Sequence, residues 1–122
     1  MMEFIKSTGI KSLSNPGVVS RQLLNTDNSA STRVTITEVH LEPNAVQPRH
    51  THENSEQIWY ALKGTGKLLL ENDTEKPFEA GDVVRFADKD VHGLINDGNE
   101  EFIYVSVTAP PINFGYAYQK EK

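Results

Sequence analysis

Residues 33–41, Arg33-Val34-Thr35-Ile36-Thr37-Glu38-Val39-His40-Leu41, are rich in β-branched side chains and mostly alternating, which predicts a strand ending at Glu42-Pro43-Asn44. Beyond it, strand-like stretches recur at short intervals: 46–52, 57–62, 67–71, around Phe78, 83–86, 92–95 and 102–108. Turn signals separate them, among them Lys63-Gly64-Thr65-Gly66, Glu79-Ala80-Gly81-Asp82, Asp88-Lys89-Asp90 and Asn96-Asp97-Gly98-Asn99. Upstream, residues 4–13 are mixed, Ser14-Asn15-Pro16-Gly17 is a turn, 18–24 suit a further strand, and 25–31 form a polar loop. Short strands at this spacing, with almost no helical period, predict an all-β sandwich or barrel, most naturally a double-sheet jelly roll (a double-stranded β-helix). No repeat, linker or low-complexity stretch divides the chain, so one domain over 1–122 is expected.

Alternation also sorts side chains by face. Gln57 shares a face with Trp59 and Ala61, while Ile58, Tyr60 and Leu62 take the other. In 102–108, Phe102, Tyr104, Ser106 and Thr108 stand opposite Ile103, Val105 and Val107, which leaves Tyr104 and Ser106 as candidate lumen groups. Trp59 is equally readable as a pocket wall or as plain core.

Composition narrows the function. A net charge of −5 without a basic cluster argues against nucleic acid. No apolar run is long enough to span a membrane and the N-terminus lacks a signal-peptide pattern, so a cytoplasmic protein is expected. With no cysteine, disulfides and thiolate ligands are excluded and histidine is the nitrogen-ligand supply. There is no Gly-x-Ser-x-Gly elbow, and Gly64-Thr65-Gly66 belongs to a hairpin rather than a phosphate loop.

The densest chemistry lies in His50-Thr51-His52-Glu53-Asn54-Ser55-Glu56-Gln57. In extended chain His50 and His52 point the same way with Cα atoms roughly 6–7 Å apart, so both imidazoles can meet one ion. Downstream, Gly81 opens a stretch that closes on His92 and Asn96. With Gly64, these positions resemble the paired motifs of the cupin superfamily, at about 44–64 and 81–96. Asn44 stands where the first motif has its leading glycine, and Ala87 and Lys89 replace the proline and glycine of the second, so a differently built turn is expected there. The family spacing admits either Glu56 or Gln57 as oxygen ligand. Parity favours Gln57.

The resemblance implies a β-barrel binding one divalent metal (Zn, Mn, Fe or Ni) through His50, His52, His92 and Gln57, and a homodimer with the N-terminal segment and the aromatic tail 112–118 as interface material; an apolar tail of this kind is expected to lie either along the barrel or against a partner chain. His40 has no motif position. A neutral amide leaves the full charge on the ion, which favours a Lewis acid over a redox centre. The expected function is a metal-dependent enzyme acting on a small oxygenated metabolite, sugar-acid-like or keto/enediol, by isomerisation or ring opening. A dioxygenase is the alternative enzyme; a small-ligand-binding or sensor module and a metal-free structural protein are the alternatives outside catalysis. Tyr104, Glu38 and Arg85 are the candidates for moving a proton.

Overall fold

A computed structural model describes residues 1–114 and 118, and the backbone of 120–121. After a 3-10 turn at Ser7–Gly9, the strands are β1 (Ser12–Asn15), β2 (Val18–Leu24), β3 (Thr35–Leu41), β4 (Val46–His50), β5 (Glu56–Lys63), β6 (Thr65–Leu69), β7 (Glu75–Glu79), β8 (Val83–Phe86), β9 (His92–Ile95), β10 (Phe102–Ala109) and β11 (Lys120–Glu121). They form two antiparallel sheets, of order β11-β1-β2-β3-β10-β5-β8 and β4-β9-β6-β7. This is the all-β jelly roll that the spacing predicts.

The inward face of the large sheet is laid out in rows. Val18, Leu41 and Phe102 stand in register and are buried, and together with Leu68, Phe78 and Leu94 they close one end of the barrel. Burying each large apolar side chain contributes about 1.5–3 kcal/mol. The next row is Ser20, Val39, Tyr104 and Ala61; the next Gln22, Thr37, Ser106 and Trp59; the last Thr35, Thr108 and Gln57. Apolar packing therefore gives way to hydroxyls and amides along the barrel axis. The outward face carries Ile58, Tyr60, Leu62 and Val83 exposed, beside half-buried Ile103, Val105 and Val107.

Two close approaches shape the site. At Gly93 a Cβ would come within 2.7 Å of Gln47 O and 3.0 Å of Arg49 N, so only glycine lets β4 lie this close to β9. The β4–β9 register slips between Gln47 and His50, which brings His50 opposite His92. Asn96, fully buried, ties the end of β9 to the β3 terminus: its Nδ2 donates to Leu41 O (3.0 Å) and Glu100 O (2.8 Å), and its Oδ1 accepts from Gly98 N (3.1 Å).

Some details differ from expectation. Around Phe78 a full strand forms, because β7 is a sheet edge whose other residues, Pro77 among them, are exposed and carry no alternation. The turn before β9 keeps a left-handed step, borne by Lys89 at φ 70°, and Lys89 N donates to His52 O (2.7 Å). Asn44 is likewise left-handed, at φ 70°. Of the two places open to the aromatic tail, along the barrel or against a partner chain, the described part takes the first: Tyr118 packs against the core and Phe114 lies edge-on to His52 (5.9 Å between centroids). Gly115, Tyr116 and Ala117 lie outside the described residues.

Candidate metal centre

His50 at the end of β4, His52 in the β4–β5 connection and His92 at the start of β9 converge, with one ligating atom from each within 4.8 Å of the others. His92 Nδ1–H donates to Asp90 O and His50 Nδ1–H to Pro48 O, both at 2.8 Å. Each bond fixes the tautomer and leaves Nε2 with its lone pair outward. Nε2 of His52 and of His92 are buried with no hydrogen-bond partner. Two orphaned ring nitrogens are costly in a packed interior, and a cation shared by their lone pairs satisfies both. The three imidazoles fit a divalent ion.

Their electrostatics agree. Desolvation, then repulsion from His50, lowers the pKa of both His52 and His92 to about 4, so both are neutral ligands at neutral pH. Unfolded histidine titrates near 6.5, so between about 6.5 and 4 the unfolded chain binds more protons than the folded one. Metal-stripped protein should hold its full stability above pH 6.5 and lose it as the pH falls towards 4, by up to about 1.4 kcal/mol per pH unit for each histidine. Urea midpoints at pH 7.5, 5.5 and 4.5 measure this; a midpoint that is flat or rises on acidification would contradict it.

Gln57 is buried, on the inward face of β5. Trp59 Nε1–H donates to its Oε1 (3.0 Å), and its Nε2 donates to Thr108 Oγ1 (3.0 Å). The indole N–H can only donate, which fixes the amide with oxygen towards Trp59 and leaves Oε1 a second lone pair. Glu56 points outward, where it accepts from Arg85 Nε (2.8 Å). Trp59 lines the cavity, its ring 5.5 Å from His92 and 4.6 Å from Tyr104.

The cavity beside the histidines has a volume of about 390 Å³, within the range of small-ligand sites. Tyr104 and Ser106 line it, so both lumen candidates reach the site. Burial raises the pKa of the Tyr104 phenol, keeping it protonated, and its oxygen accepts from Gln47 Nε2 (3.3 Å). The other two proton-transfer candidates do not reach it. Glu38 is on the outward face of β3, bonded to Arg21 Nη1 (2.9 Å) and His40 Nε2 (2.8 Å), because on this strand it is Thr35, Thr37 and Val39 that turn inward. Arg85 is outward on β8, paired with Glu56. His40 sits in the outer network with Glu38 and Glu101.

Sequence reasoning missed Gln47, whose Nε2 reaches both the Tyr104 and the Tyr118 hydroxyls (3.3 Å each), and the inward hydroxyls Ser20 and Thr37. The alternation of β3 was a usable signal for Thr37. Gln47 carried none, since the β4 irregularity breaks the period.

A two-sheet barrel with a three-histidine centre at its mouth defines a metal-binding jelly-roll protein. A family model described as "Cupin domain" matches residues 37–108, and the chain belongs to that family. A glucose-6-phosphate isomerase of Thermococcus onnurineus is 32% identical over 77 residues, 60% of this chain and 41% of that protein; the chain thus spans about two-fifths of the length of that relative. Among solved structures, an uncharacterized conserved protein with a double-stranded β-helix domain from Klebsiella pneumoniae matches at TM-score 0.72 and 26% identity, covering 80% of this chain and 81% of that one. The polyketide cyclase RemF from Streptomyces resistomycificus matches at TM-score 0.77 and 23% identity, over 89% and 80% respectively, a likeness of fold. No helix among the described residues is long and apolar enough to cross a membrane.

Proposed function

We propose that this cupin is a metal-dependent enzyme in which His50, His52, His92 and Gln57 Oε1 hold one divalent ion, and that it isomerises or opens a small oxygenated metabolite. The observation that carries this is the pair of buried, unpartnered Nε2 atoms on His52 and His92. A bound divalent ion supplies Lewis-acid polarisation of a substrate carbonyl or hydroxyl oxygen. Four neutral donors favour that chemistry over oxidation, since no carboxylate offsets the charge of a more oxidised metal. Tyr104, kept protonated by burial, offers a hydrogen-bond-donating hydroxyl to a substrate oxygen at the cavity wall, while Trp59 and Phe114 shield the centre from water. The sugar-phosphate isomerase named among the relatives supports an isomerase class.

Elemental analysis of protein purified without added metal tests the assignment, on wild type, His50→Ala and Gln57→Ala in parallel. Near-stoichiometric metal in wild type, lost with His50 and reduced about tenfold or more in affinity with Gln57, is the expected result. Iron or nickel would move the reading to dioxygen chemistry. Wild type that binds none of manganese, iron, nickel or zinc would leave a small-ligand-binding module as the better account.

The partner proposed for the outward face of the large sheet is a second copy of the chain. Ile58, Tyr60, Leu62 and Val83 there form an apolar centre between charged groups, Arg21–Glu38–His40 on one side and Glu56–Arg85 on the other. Sedimentation should give a dimer that Tyr60→Glu dissociates. A monomeric wild type would refute it.

A further inference from the structure

The cavity holds a feature that metal binding leaves unexplained. Thr37 on β3 and Ser106 on β10 stand directly opposite in the antiparallel register, both point inward, and each is 5% exposed. Both line the cavity, and neither hydroxyl has a hydrogen-bond partner among the described residues. Two neighbours are satisfied from within, Ser20 Oγ accepting from Gln22 Nε2 (2.9 Å) and Thr108 Oγ1 from Gln57 Nε2 (3.0 Å), whereas Thr35 Oγ1 is enclosed without a partner and does not line the cavity. Both hydroxyls open onto the cavity rather than being sealed in the wall, so each is free to donate to and accept from whatever occupies it, which an apolar side chain at the same position could not do. Ser106 stands in register with Trp59, whose ring edges His92, so the pair lies beside the metal centre along one row of the sheet.

The charge of the surroundings restricts what they can meet. Arg49 is the one Lys or Arg among the described residues lining the cavity. It is already engaged, donating from Nε to Leu70 O (2.8 Å) and from Nη2 to Thr74 O (3.3 Å), with Asp73 4.0 Å from Nη1. A phosphate dianion placed away from the ion would lose its hydration without a counter-charge. Neutral hydroxyls and carbonyls lose far less, and they match two hydroxyls that each donate and accept.

We infer that Thr37 and Ser106 form a subsite for the uncharged, hydroxyl-bearing end of a small ligand whose other end meets the metal, and that the ligand is unphosphorylated. The inference rests on the metal centre proposed above and deepens it by naming the ligand class. It separates this chain from its sugar-phosphate-isomerising relative at the far end of the ligand rather than at the ion.

D-gluconate and 6-phospho-D-gluconate test it, since they share a chelating carboxylate head and differ in the tail. Trp59 is the chain's single tryptophan and lines the cavity, so its fluorescence reads binding directly. Wild type is expected to bind gluconate at least tenfold more tightly than the phosphate, and Thr37→Val/Ser106→Ala to weaken gluconate at least fivefold while metal content stays unchanged. Equal or tighter binding of the phosphate, no response to either compound, or an unaffected double variant with native thermal unfolding would overturn the subsite. Metal content on the same samples judges the centre separately. Metal present without the gluconate preference removes the subsite alone; the preference intact without metal removes the centre alone.

Discussion

His92→Ala is expected to abolish metal-dependent stabilisation. A ligand that binds only the folded state stabilises it by about 2.7 kcal/mol when present at a hundred times its dissociation constant, a shift in unfolding midpoint on the order of 10 °C for a chain of this size. His92 is 2% exposed and stacks on Phe86 at 4.6 Å, so its loss also removes packing and lowers stability with or without metal. The informative quantity is therefore the difference in midpoint between metal-loaded and chelator-treated protein, measured for wild type and variant. Wild type should show the full shift and the variant none. An equal shift in both would mean that the ion binds elsewhere.

The largest effect on stability alone is expected at Asn96. Replacing it by leucine keeps the branched side-chain skeleton, at a larger volume, but removes two donors, to Leu41 O and Glu100 O, and the acceptor for Gly98 N, all in a fully buried setting. At about 1–3 kcal/mol for each group left unpaired, the cost should reach about 4 kcal/mol, a large fraction of the stability of a domain this size. Urea denaturation measures it. A loss below about 1 kcal/mol would show that the loop satisfies those groups in another way.

The fold was legible because strands leave a local signature: period-two alternation and turn residues between runs recover β8 and β9 to the residue and the other central strands to within a few. β7 was nearly invisible, since an edge strand with one buried side chain has little to alternate. At the site, the histidines were legible from type and spacing, and the parity of β5 placed Gln57 inward and Glu56 outward. Parity names two faces without saying which is inside, however. On β3 the outward face carries Glu38 and His40, chemically richer than Thr35 and Thr37, and their chemistry drew attention to the wrong side. Arg85 failed similarly, because its charge is met outside by Glu56. The pairing of Tyr104 with Gln47 and Tyr118 depends on contacts between distant segments, which no local pattern encodes.

The placement of the histidines also has a kinetic consequence. His50 and His92 lie opposite each other on β4 and β9 yet about forty positions apart in the chain, and Gln57 comes from the other sheet. Such non-local pairings form late, because the chain must close long loops before any contact rewards it. An ion that needs all of these groups meets a complete site only after the folding barrier has been crossed. Metal should therefore slow unfolding in proportion to its occupancy and leave the refolding rate nearly unchanged, which stopped-flow traces with and without chelator resolve. The ion would act as a latch on a finished barrel rather than as a template for building one.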